Sequence, residues 1–257
     1  MHSLRFISHH RSDGVLERDF AVGDVPGVLW SPEETRPDRT RLVLMGHGGG
    51  LHKKTPGQVA RARDEVTRRG LTVVAVDAPG HGERPRTAED EEAQAEIRHS
   101  VVTGDRERFK AVSIEYVRSL TRRAVPEWQD VLDALQKLPE IGPEAPIGYG
   151  GGVSMGTAIG IPLTAVEPRI RAAVFGGGFF VYDELLAAAR TITVPVQFLL
   201  PWDDEYVDRR TTLALFDAFA SPEKTLHANP GDHRRIRWHG LDRDFLRRHL
   251  SGGGDRA

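Results

Sequence analysis

Gly152-Val153-Ser154-Met155-Gly156 sets one serine between two glycines, each two residues away. A serine hydroxyl is a poor nucleophile unless a neighbouring base activates it and the backbone holds it clear. A tight strand-to-helix turn does the holding, and glycines on both sides let the chain pass itself without a Cβ collision. The flanks read accordingly, Ile147–Gly151 as a strand and Thr157–Val166 as a helix. The start of that helix would aim backbone amides at developing negative charge. A second glycine run, His47-Gly48-Gly49-Gly50, follows the apolar run Leu42–Met45. Its amides, with Gly49 the leading candidate, and the amide of Met155 would together receive an oxyanion. The chemistry in view is nucleophilic attack on an acyl carbonyl. The plain alternative makes Ser154 an ordinary helix N-cap.

Such a serine needs a histidine, and the histidine an orienting acid. After the strand-like run Val194–Leu200 comes Pro201-Trp202-Asp203-Asp204-Glu205-Tyr206-Val207. After the next, Lys224–Ala228, comes Asn229-Pro230-Gly231-Asp232-His233. An acid and a histidine thus fall at the carboxyl ends of successive strands, the edge at which open α/β sheets bind ligands. Asp203, Asp204 and Glu205 are the candidate acids. His233 is the leading base, since His227 falls within a strand and His239 beyond the loop. Leu51, Phe179, Trp202 and Tyr206 flank the same edge and are candidates to line a substrate pocket. His47 and His81 read as structural, holding the turns in which they lie.

Rival chemistries lack their motifs. A phosphate loop needs glycine directly before Lys-Ser/Thr, and Gly50-Leu51-His52-Lys53-Lys54-Thr55 has none. No G-x-G-x-x-G fingerprint occurs at either glycine run. The eleven histidines include no H-E-x-x-H and no common zinc spacing, so no metal is expected. With no cysteine there is no disulfide, thiol nucleophile or iron–sulfur centre. The 35 basic residues balance 37 acidic ones, which argues against a nucleic-acid partner. No apolar run is long enough to span a bilayer. The N-terminus shows no basic stretch leading into an apolar one, so the expected compartment is the cytoplasm.

The elements that must position these residues alternate. Leu42–Met45, Thr72–Val76, Ile170–Phe175 and Val194–Leu200 are short, β-branched runs of the kind buried on both faces of a parallel sheet. Pro56–Arg69 reads as a helix ending at Gly70, and a second helix is expected to start at Pro126. Trp238, Leu241, Phe245 and Leu246 suggest a last helix whose arginines face solvent. Val15–Val22 and Gly27–Trp30 have no helix between them and predict an antiparallel hairpin at the sheet edge. The whole is an α/β fold, a mostly parallel sheet of about eight strands flanked by helices. Residues 1–257 form one domain. The stretch 84–125, after the Asp77 strand, is a helical insertion that could act as a lid. Residues 251–257 read as a flexible tail.

At this point the chain resembles the α/β-hydrolase superfamily over essentially its whole length. The matching motifs are His47–Gly50, Asp77-Ala78-Pro79-Gly80-His81-Gly82, Gly152–Gly156, Trp202–Val207 and Pro230–His233. Within the superfamily it is similar to the dienelactone-hydrolase-like and small serine esterase branches, because no large cap follows Phe175. It departs from dienelactone hydrolases proper, which use cysteine where this chain has Ser154. The resemblance implies serine-dependent hydrolysis of a carboxylic ester, or a related acyl bond, of a small molecule without a cofactor. It fits the chain order Ser154, Asp204, His233. It also favours Asp204, which stands three residues before Val207. A thioesterase, amidase, peptidase, acyltransferase or lyase would use the same residues, and a ligand-binding protein could keep the fold alone. Self-association is left open.

Overall fold

The computed structural model describes residues 3–34 and 40–251. Nine strands form one sheet in the order β1-β2-β3-β5-β4-β6-β7-β8-β9. The first three are β1 (Leu4–Ser12), β2 (Val15–Val22) and β3 (Val25–Pro32), and they run antiparallel to their neighbours. The remaining six are β4 (Leu42–Leu44), β5 (Thr72–Val76), β6 (Ile147–Gly150), β7 (Ile170–Gly176), β8 (Val196–Pro201) and β9 (Lys224–Asn229). They pair in parallel, so their carboxyl ends share one edge.

The expected eight strands become nine because β1 was not foreseen. Its side chains are almost all exposed, so it lacks the apolar alternation that marks a half-buried strand. The signal present was Asp13-Gly14, both at positive φ, the dipeptide that closes a tight hairpin.

Apolar side chains are buried on both faces. Helices α1 (Pro56–Arg69) and α7 (Phe245–Leu250) cover one face, with Ala62, Val66, Phe245 and Leu246 packed on Val43, Val73 and Ala172. Helices α3 (Arg106–Leu135), α4 (Met155–Val166), α5 (Asp183–Ala189) and α6 (Arg209–Ala218) cover the other. Helix α2 (Ala88–Thr103) lies in the insertion and packs against α3.

Two helix expectations are corrected. No helix starts at Pro126. Helix α3 begins at Arg106 and runs straight through the proline. The lost hydrogen bond costs about 3 kcal/mol. A continuous buried stripe of Tyr116, Leu120, Ala124, Trp128, Val131 and Leu135 spans the proline and offsets it. At the C-terminus only Phe245–Leu250 is helical. Gly240, at φ 67°, breaks the chain between Trp238 and Leu241, so the arginines of 233–244 lie on irregular backbone. The expected tail, apart from Ser251, falls outside the described residues.

Candidate active site

Ser154 is the N-cap of α4, with φ 66° and ψ −139°. Of the described non-glycine residues only Asp13 shares a positive φ, and Asp13 sits in a hairpin turn. Strain of this kind persists only where neighbours enforce it. The Ser154 N–H donates to Gly177 O at 2.8 Å, tying the turn to the end of β7. Fully buried Thr157 donates its hydroxyl to Gly152 O at 2.8 Å and accepts from the Gly176 N–H at 2.9 Å. The Tyr149 hydroxyl donates to Gly156 O at 2.5 Å. A Cβ on Gly156 would lie 2.6 Å from Gly151 O and 3.1 Å from His47 O, so no larger residue fits there.

The His47–Gly50 loop is fixed from below. The Ala78 N–H donates to His47 Nε2 at 3.1 Å, which leaves the hydrogen on Nδ1 to donate to Gly48 O at 3.0 Å. Burial pushes the His47 pKa down to about 4, so the ring is neutral at pH 7. Asp77, fully buried, binds the Lys53 ammonium and backbone N–H at 2.8 Å each and the Glu83 N–H at 3.0 Å. Gln58 and Arg61, one turn apart on α1, both donate to Gly46 O, at 3.1 and 3.3 Å. The roles of Thr157, Gln58 and Arg61 had no motif to announce them. All three depend on contacts between segments distant in sequence.

Asp204 follows β8 and His233 follows β9, and the structure joins them. His233 Nδ1 lies 2.5 Å from Asp204 Oδ2, and the His233 N–H donates to the same oxygen at 3.2 Å. The backbone N–H groups of Tyr206 and Val207 donate to Asp204 Oδ1, each at 3.1 Å. Burial pushes the Asp204 pKa up, but the His233 ring and these amides outweigh it and bring it to about 2. An ionised Asp204 accepts, so Nδ1 of His233 carries a hydrogen, and Nε2 is the ring nitrogen turned away from the acid. Asp203 is occupied elsewhere, accepting from the Gly231 N–H at 3.1 Å. A Cβ on Gly178 would come within 2.5 Å of His233 Cβ, so the ring packs directly on that glycine.

Ser154 and His233 line one cavity of about 740 Å³, together with Gly48, Gly49 and Met155. Leu51, Phe179 and Tyr206 also line it. Trp202 does not. It stands 41% exposed beneath Arg209, whose guanidinium carbon is 4.0 Å from the ring centre. The insertion supplies Gln94, Ile97, Phe109, Ser113 and Tyr116 as a roof. Phe109 makes edge contacts with Phe180 at 5.3 Å and Tyr206 at 5.5 Å. Among the described residues no three His, Asp or Glu side chains gather as a metal site. No helix there is long and apolar enough to cross a membrane.

No family model matches the chain, and no curated protein matches it significantly. Solved structures do. A polyethylene-glycol-bound cold-adapted esterase from an Arctic intertidal metagenomic library shares 34% identity over 95% of this chain and 97% of its own, with a TM-score of 0.73. The chain belongs to the ester-hydrolysing α/β hydrolases. Two more distant proteins share the hydrolase fold with it. Acetyl xylan esterase 1 from Thermoanaerobacterium is 14% identical with a TM-score of 0.66, covering 97% of this chain and 87% of its own. A dienelactone hydrolase from Anabaena variabilis is 20% identical with a TM-score of 0.56, covering 93% and 94%.

Proposed function

We propose that this α/β hydrolase cleaves small carboxylic esters through a Ser154–His233–Asp204 triad and an acyl-enzyme. The observation that carries the reading is the His233–Asp204 contact at 2.5 Å beside the strained serine of the same cavity. His233 Nε2 takes the Ser154 proton as the hydroxyl attacks the acyl carbon. Asp204 holds the imidazole in that tautomer and steadies the imidazolium. The amides of Met155 and Gly49 receive the oxyanion. His233 then protonates the departing alkoxide, and water activated by the same ring releases the acid.

The cavity supports a small-molecule substrate. Its wall is largely apolar and aromatic, and the charged side chains on it are Arg61 and Arg234. That wall suits neutral or anionic esters better than cationic ones.

Labelling with a fluorophosphonate probe and peptide mapping, alongside p-nitrophenyl acetate turnover, tests the assignment. Label on Ser154, with turnover lowered about a thousandfold or more in Ser154→Ala, is the expected result. Unchanged turnover in a folded Ser154→Ala protein would falsify it.

A further inference from the structure

Behind the elbow, on the sheet face covered by α1 and α7, lies a second cavity of about 500 Å³. Its floor is one row of the sheet. Gly150 of β6 pairs with Val174 of β7, which pairs with Gln197 of β8. A Cβ on Gly150 would touch Val43 Cγ1 at 3.4 Å, Leu44 O at 3.7 Å and Leu246 Cδ1 at 3.8 Å, ordinary contact distances, so the chain packs closely at that point of the floor. A glycine inside a strand often marks such a close approach. Trp238, Leu241, Phe245 and Leu246 form the outer wall, and Met45 and Leu199 extend the apolar lining.

Gln197 is the buried polar residue of that lining, and Arg61, Asp64, Glu65, Asp242 and Arg243 bring charged groups to the cavity as well. Gln197 is the one polar residue in the run Val196-Gln197-Phe198-Leu199-Leu200 and is 2% exposed. Its Oε1 has no hydrogen-bond partner. A buried amide oxygen left unpaired is costly, and empty cavities in proteins are apolar ones. The residue lines the cavity, the nearest space from which a partner can come. A hydroxyl fits best, because it can donate to the amide oxygen and accept from the amide nitrogen. The part of the occupant that meets Val174, Trp238 and Leu246 must be apolar to match that side of the wall.

We infer that this cavity is a second small-molecule site, taking a neutral alcohol or phenol whose hydroxyl binds Gln197 and whose body lies against Val174, Trp238 and Leu246. The site is separate from the proposed catalytic cavity but shares a partition with it. Arg61 and Val153 line both, and Arg61 rests on Gly152, its Nη1 2.7 Å from where a Cβ would stand. An occupant therefore touches the backbone that carries Ser154 from behind. The inference does not depend on Ser154 being a nucleophile.

Fluorescence provides the test. Of the four tryptophans, Trp238 lines this cavity and none lines the catalytic one. Titration of the whole protein with 4-ethylphenol should give a saturable change that disappears in Trp238→Phe. Wild type should bind 4-ethylphenol at least fivefold more tightly than ethylbenzene. Gln197→Leu should erase or reverse that preference, and Val174→Phe should close the site to both. If Gln197→Leu does not fold, Gln197→Met serves in its place. The inference fails if no saturable change is seen up to the solubility limit. It fails equally if the preference for the phenol survives without the amide.

Discussion

Asp204 makes its acceptor contacts from inside the protein, and this gives its replacement a particular signature. Asp204→Asn keeps the shape but offers the His233 Nδ1–H a weaker acceptor and can favour the wrong tautomer. Turnover should fall about a thousandfold or more, with little change in KM. Because Asp204 stays ionised down to about pH 2, the acid limb of the wild-type rate profile must come from another group. A limb that vanished in Asp204→Asn while turnover survived would contradict this. Thr157 acts one step further back, as a positioning residue. Thr157→Val leaves Gly152 O and the Gly176 N–H without the hydroxyl that joins them. The cost should be about 1–3 kcal/mol in urea unfolding. It should lower kcat more than KM, and Thr157→Ser should restore both. The contrast between these two residues shows what was legible beforehand. Ser154, Asp204 and His233 are announced by local glycine, proline and strand-end signals. Thr157 is announced by nothing, because its partner Gly176 lies on another strand. Trp202 sits beside the acid in sequence yet stacks under Arg209, since neighbours on a loop need not share a side.

The elements were legible where their burial is two-sided or their caps are local. Strands β4, β5, β7 and β8 are apolar runs, and α1 ends at Gly70 with φ 65° as its sequence suggests. Legibility failed where tertiary burial overrode a local rule, as at Pro126, and where there was no burial to read, as in β1. The insertion shows the same limit. Its helical character was visible, but not how it is anchored. Asp90 completes the capping box of α2 by accepting from the N-cap Thr87 N–H and also pairs with Arg123, at 2.5 Å, while Arg84 pairs with Glu127 at 2.7 Å. Helix α3 carries Leu120 and Ala124 into the core, so cutting out 84–125 would remove core as well as roof. A finer change isolates the roof. Phe109→Ala removes the aromatic contact between the insertion and the Phe180 and Tyr206 loops. The KM for bulky aryl esters should rise severalfold relative to acetate esters, with Tm lowered by only a few degrees. Equal effects on all esters would mean that the roof does not touch substrate.

At the scale of the whole molecule, the site's supports make stability depend on pH in two stages. His47 is held neutral by burial, with a folded pKa of about 4. An unfolded histidine titrates near 6.5. Between those values the unfolded chain binds a proton that the native one refuses, so stability falls as pH falls. The contribution of His47 is at most about 3 kcal/mol and levels off below pH 4, where the native ring is protonated too. Burial shifts His81 in the same direction. The carboxylates work lower down. Asp77, Asp90, Glu167 and Asp204 all have folded pKa values below their ordinary ones. For each, burial opposes the shift and hydrogen bonds from charged or backbone donors outweigh it. Their stabilisation is complete above about pH 4 to 5 and is lost as pH falls through the folded values. Urea midpoints measured from pH 8 to 2 should therefore decline in a histidine stage above pH 4 and a carboxylate stage below it. In His47→Asn the protein should be less stable at pH 7, because the Ala78 N–H loses its partner, yet its midpoint should fall less steeply from pH 6.5 to 4. If the two proteins lose stability in parallel through that window, the His47 ring is not held neutral by the fold. The support of the glycine loop by an uncharged histidine would then have to be abandoned.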